Sequence, residues 1–168
     1  EKKLPADSRV ALTPDQAAAL MKKYDGLTIV CQSSADRVFS DEEYSNAGVQ
    51  VVENVNDCDV LLGVKEVPVS ELIPNKTYLF FSHTIKMQPY NQKLMQAFVE
   101  KHITMIDYEC LEWPQGGRVL GFGRWAGIVG AYNGLLTWGN KYGSFKLKPA
   151  HECKNYAELK EELNKVVL

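Results

Sequence analysis

The chain alternates between short apolar runs and segments whose apolar positions recur at helical spacing. In "PDQAAALMKKY", Ala17, Leu20, Met21 and Tyr24 share one helical face. Thr13 followed by Pro14 supplies an N-cap and a first-turn residue whose missing N–H is not needed there. "GLTIVCQ", entered through Gly26, predicts a strand. "SDEEYSNAG" predicts a short helix capped by Ser40, with acidic residues in its electropositive first turn and a stop at Gly48. The runs "VQVVE", "CDVLLGVKE", "KTYLFFSH" and "ITMIDYE" continue the strand series, interrupted by "QPYNQKLMQAFVEKH", a helix whose Leu94, Ala97 and Phe98 form one face. "RVLGFG" predicts one more strand, leading into a helix rich in small residues through Ala126, Gly127, Gly130, Ala131 and Gly134. Glycine at that density predicts close packing against another backbone. "NYAELKEELNKVVL" predicts an amphipathic helix beginning near Asn155 or Tyr156.

Near-continuous apolar runs such as "VLLGV" and "YLFF" fit strands covered on both faces, as in a parallel sheet. Together with the strand and helix alternation they predict an α/β fold: a Rossmann-like, doubly wound parallel sheet in three layers, α/β/α, forming one domain over residues 1–168.

Parallel sheets place ligands at the carboxyl ends of their strands. Three of the predicted strands end in ionisable groups: Lys65 and Glu66, then His83 after Ser82, then Glu109. A lysine beside a histidine in a partly desolvated cleft suits proton transfer, and nearby carboxylates adjust how readily each releases its proton. Either residue taken singly fits an ordinary surface lysine or a loop histidine bonded to backbone; their shared placement at strand ends is what points to a site. Arg9, just ahead of the first helix, suits a substrate carboxylate, and equally a solvated loop.

Composition narrows the partners. With 45 % hydrophobic and 24 % charged residues, the balance is that of an ordinary globular domain. The formal charge of −2 offers no basic footprint for nucleic acid, which leaves small molecules or proteins. Four scattered cysteines, without zinc-ligand spacing, fit a reducing compartment, and no apolar run approaches the roughly 20 residues that span a bilayer, so a cytoplasmic protein without metal is expected. "GFGRWAG" resembles a dinucleotide fingerprint but is spaced G-x-G-x-x-x-G, and the acidic residue that should follow to hold a ribose is absent from "GNKYGSFKLKP". Close helix packing is the expectation there, and for Trp113, Trp125 and Trp138 a place in a core or between domains.

"DSRVALTP", "LLGVKEVP", "KTYLFFSHTIKMQ", "MIDYECLE" and "RVLGFGRWAGIVGA" together resemble, in order, the N-terminal domain of the alanine dehydrogenase, transhydrogenase and saccharopine dehydrogenase superfamily. "FFSHTIKMQ" and "DYECLE" are most similar to its lysine branch, the lysine-forming saccharopine dehydrogenases and the lysine–ketoglutarate reductase domain of aminoadipic semialdehyde synthase. That resemblance implies interconversion of saccharopine with L-lysine and 2-oxoglutarate, using NAD or NADP. It implies that Lys65 exchanges a proton with the substrate amine and that His83 serves water addition to the imine. Arg9 and Lys86 are implied as substrate-binding groups, and Glu66 and Glu109 as acids that tune the pair. The family's opening strand is not found ahead of "EKKLPADSR". Its nicotinamide-binding Rossmann domain is not found within residues 1–168 either, so a substrate domain that packs against such a domain in a longer protein is expected. An alanine dehydrogenase-like enzyme and a non-catalytic amino-acid-binding module stand as alternatives.

Overall fold

A computed structural model describes residues 7–166, and the starts of its first two helices have a local chemical cause. Thr13 caps α1 (Pro14–Lys23) in a reciprocal box: its hydroxyl accepts from the Gln16 amide at 3.3 Å while the Gln16 side chain accepts from the Thr13 amide at 3.0 Å. Ser40 and Glu43 build the same box ahead of α2 (Asp41–Asn46), and Gly48 just past its end takes the left-handed φ of 82° that glycine adopts without steric cost.

The strands are β1 (Val30–Gln32), β2 (Gln50–Val52), β3 (Val60–Lys65), β4 (Thr77–Phe81) and β5 (Thr104–Asp107), with α3 (Gln92–Glu100) between the last two. Every pairing between these strands is parallel, and the expected Rossmann-like α/β fold is what the chain adopts. The strands form two ladders, β1–β2 and β3–β4–β5. Within the second, β3 opposes β4 in steady register from Val60 to Leu62, then shifts so that Lys65 lies opposite Phe81. Phe80 lies opposite Asp107, which brings the ends of β3, β4 and β5 to one edge.

Tyr78 and Phe80 of β4 turn inward and join Leu94, Ala97 and Phe98 of α3 in one core. Phe80 is completely buried, and such burial contributes on the order of 2–3 kcal/mol. A second core gathers Ala17, Tyr44 and Val49 around β1 and β2. The far face of the three-stranded ladder is less covered than its apolar runs suggest: Val60 and Leu62 are 47 % and 49 % exposed. An apolar run reports that no position must meet water, and it does not report that both faces are capped.

The described residues divide into two compact units, separating between Leu120 and Gly121. The second contains α4 (Gly123–Tyr142) and α5 (Tyr156–Glu162), the latter capped by Asn155, with Tyr132, Leu147 and Leu159 as its core. Two expectations are corrected by the structure. Residues 118–122 form no strand: an isolated antiparallel bridge joins Glu112 to Arg118 around the positive-φ pair Gly116 and Gly117, so the segment closes a turn and finds no ladder. A side chain placed at Gly127, Gly130 or Gly134 would meet nothing within 4 Å, whereas a Cβ added at Gly139 would fall 2.5 Å from the Phe145 carbonyl oxygen; the close approach comes beyond the glycines for which it is predicted. Trp113, Trp125 and Trp138 are each about half exposed, so of the two places expected for them a core is not the one taken. Among the described residues, no helix is long and apolar enough to cross a membrane, and the four cysteines are free thiols.

Candidate acid–base site

The carboxyl ends of β3, β4 and β5 deliver a connected set of ionisable side chains. β4 stops at Phe81, and the chain leaves it through Ser82, which is fully buried, and His83, whose φ of 57° is left-handed. Histidine tolerates this conformation better than most residues but does not prefer it, so surrounding bonds must hold it there. They do: the buried Asn91 side chain donates to the His83 carbonyl at 3.0 Å, and the Lys86 amide donates to the same oxygen at 3.1 Å, closing the turn Thr84–Lys86.

The His83 ring lies between two partners. Its Nδ1 is 3.0 Å from Glu109 Oε2, and its Nε2 is 3.2 Å from Lys65 Nζ. A carboxylate only accepts, so the network assigns the ring proton to Nδ1 and leaves Nε2 to accept from the Lys65 ammonium. The Phe81 ring stacks beside the imidazole at 6.4 Å between centroids. Lys65, His83 and Glu109 thus form one hydrogen-bonded chain from three strand ends.

Glu109 anchors that chain. Its side chain is only 5 % exposed, yet its second oxygen meets Arg118 at 3.1 Å and Lys86 at 3.4 Å. The His83 hydrogen bond is the largest influence holding its carboxyl below the usual range; burial opposes this, and the Lys86 ammonium adds to it. Lys86 and Arg118 are about half exposed, so their outer faces stay open to solvent while their inner faces are held. Two cationic heads, Lys86 and Arg118, meet the one carboxylate, and Lys65 is joined to it through the His83 ring; the half-exposed Lys86 and Arg118 suit an anionic ligand.

Of the residues named from sequence, Lys65, His83, Lys86 and Glu109 are brought together. Glu66 follows Lys65 directly and is half-buried at the end of β3. Arg9 is engaged with Asp7, donating to it at 2.9 Å and 2.5 Å; this pairing is the main cause of the lowered Asp7 carboxyl, and the Lys65 charge lowers it further. Arg118 was not singled out from sequence. The signal for it is the Gly116–Gly117 turn, which folds the chain back so that a residue nine positions on reaches Glu109.

A nicotinamide nucleotide does not fit the glycines of 121–127. No paired strand ends there, and Phe122 precedes α4 without a side-chain cap, so the strand, glycine turn and helix that cradle a pyrophosphate are not built. Among the described residues, no group of three or more His, Cys, Asp or Glu side chains is placed to hold a metal.

The family model described as "Alanine dehydrogenase/PNT, N-terminal domain" matches residues 1–129. Curated relatives include the alpha-aminoadipic semialdehyde synthase of Mus musculus, named as mitochondrial, 34 % identical over 159 residues that cover 90 % of this chain and 17 % of the relative. The NAD(+), L-lysine-forming saccharopine dehydrogenase of Candida albicans is 32 % identical over 143 residues, covering 82 % of this chain and 37 % of the relative. Among solved structures, an L-alanine dehydrogenase superposes with a TM-score of 0.61 at 22 % identity, over 84 % of this chain and 39 % of its own, a likeness of fold. The chain thus spans well under half the length of the relatives it matches.

Proposed function

The chain belongs to the alanine dehydrogenase/PNT N-terminal domain family, and we propose that it is the substrate-binding and acid–base half of an oxidoreductase interconverting saccharopine with L-lysine and 2-oxoglutarate. The observation that carries this reading is the hydrogen-bonded chain Lys65–His83–Glu109 at the carboxyl edge of a parallel sheet. Forming or breaking a secondary amine through an imine requires one group that trades a proton with the amine and another that serves water at the imine carbon. Lys65 takes the first role and His83 the second, with Glu109 keeping the imidazole oriented through Nδ1. The exposed faces of Lys86 and Arg118, joined by Arg9, hold substrate carboxylates, and Glu66 tunes Lys65. NAD or NADP supplies or accepts the hydride and is held by a nicotinamide-binding domain against which this one packs.

The test is oxidation of reduced nicotinamide cofactor by this domain joined to such a partner domain, comparing lysine plus 2-oxoglutarate with pyruvate plus ammonia. Turnover with the first pair alone is expected. Turnover with the second alone assigns an alanine dehydrogenase-like activity, and binding of an amino acid without turnover of either pair assigns a sensing module.

A further inference from the structure

We propose that Asp107 and Ser82 form a buried tie that positions His83 and Glu109 for each other. This rests on the reading of His83 as an acid–base group, because it concerns what aims that group. Asp107 is the last residue of β5 and faces Phe80 across the ladder. One of its oxygens accepts from the Glu109 amide at 2.8 Å and so caps the turn that carries Glu109. The other accepts from the Ser82 hydroxyl. Ser82 in turn accepts from the Thr84 amide at 3.1 Å, which fixes the turn that carries His83. Its proton being committed to Asp107, the 2.7 Å contact between the Ser82 and Thr84 hydroxyls is donated by Thr84.

One carboxylate therefore grips both turns. Ser82 is fully buried and Asp107 nearly so, so neither has water as a substitute partner, and loss of either leaves polar groups unsatisfied where that is most costly. Neither side chain reaches Lys65 or the open faces of Lys86 and Arg118, which makes them positioning residues rather than participants. The pair also accounts for the left-handed backbone at His83: Ser82 fixes the turn from one side and Asn91 from the other.

The test is nitrogen-15 NMR of the His83 ring in this chain, comparing wild type with Asp107→Asn, Ser82→Ala and Ser82→Thr. In the wild type, a dominant Nδ1–H tautomer with a slowly exchanging ring proton is expected. In Asp107→Asn and Ser82→Ala, mixed tautomers and ring-proton exchange faster by ~10-fold or more are expected, the scale of one lost charge-assisted hydrogen bond. Ser82→Thr, which keeps the hydroxyl, should restore the wild-type signature. Backbone amide spectra separate this from unfolding, and if Asp107→Asn unfolds, Ser82→Ala, which deletes a single oxygen, decides. A wild-type ring with mixed tautomers, or an unchanged signature in folded Ser82→Ala, overturns the proposal. Because the readout needs no turnover, the tie stands or falls separately from the lysine-branch activity.

Discussion

At the scale of the residue, the site depends on three groups whose removal has separable effects. Lys65→Met and His83→Gln should each lower turnover by ~100-fold or more in the joined enzyme if they move protons; steady-state rates and their pH profiles read this directly. Glu109→Gln removes the charge that His83, Lys86 and Arg118 share. The folded state holds the Glu109 carboxyl below its unfolded range, so it binds the proton less readily when folded, and its contribution to stability is present above the unfolded value. That contribution is lost as pH falls through the lower, folded value. Denaturant midpoints of wild type and Glu109→Gln should therefore differ at neutral pH and converge on acidification; a gap independent of pH would deny the carboxylate this role.

Among the elements, α4 offers a paired test of its glycines. Gly130→Ala adds a methyl where nothing lies within 4 Å, so helix propensity alone should stabilise by ~0.5–1 kcal/mol. Gly139→Ala drives the same methyl onto the Phe145 carbonyl and ring and should cost ~1–3 kcal/mol. Thermal unfolding of the two variants gives both signs. Local chemistry announced the helix starts in the sequence, since Thr13 with Pro14 and Ser40 with Glu43 act on neighbours three residues away. The convergence of Lys65, His83 and Glu109 was also legible, because parallel strands must end on one edge. What could not be read depends on longer-range choices. Arg118 arrives through a turn that pairs with Glu112 instead of extending as a strand, and Asp107 sits in "MIDY" with nothing nearby to mark it as the acceptor for two turns. The exposed glycines of α4 illustrate the same limit: composition shows that a backbone approach is permitted, and only the fold shows where one occurs.

Taken whole, the molecule carries a formal charge of −2, yet its candidate site presents the half-exposed cationic heads of Lys86 and Arg118. If the chain holds 2-oxoglutarate as proposed, that binding should weaken as ionic strength rises, most steeply below ~0.15 M, where the screening length exceeds roughly 8 Å; calorimetric titration at several salt concentrations checks this, and flat affinity would deny an electrostatic site. The second unit rests on a core of Tyr132, Leu147 and Leu159, few large residues for independent stability. Its helical amides should exchange with deuterium sooner than those of β4 and α3. The register shift in β3 bears on how the chain can vary in length. Side chains alternate along a strand, and three steps separate Leu62 from Lys65 while only two separate Leu79 from Phe81 opposite them. The additional residue acts like a change of reading frame, turning Lys65 to the side on which Phe81 stacks against His83. Loss of Gly63 would remove the extra residue and leave Lys65 two steps from Leu62, still opposite Phe81, whereas a ladder that kept Gly63 without the shift would turn the ammonium to the α3 side, leaving a chain that still contains its lysine but no longer presents it.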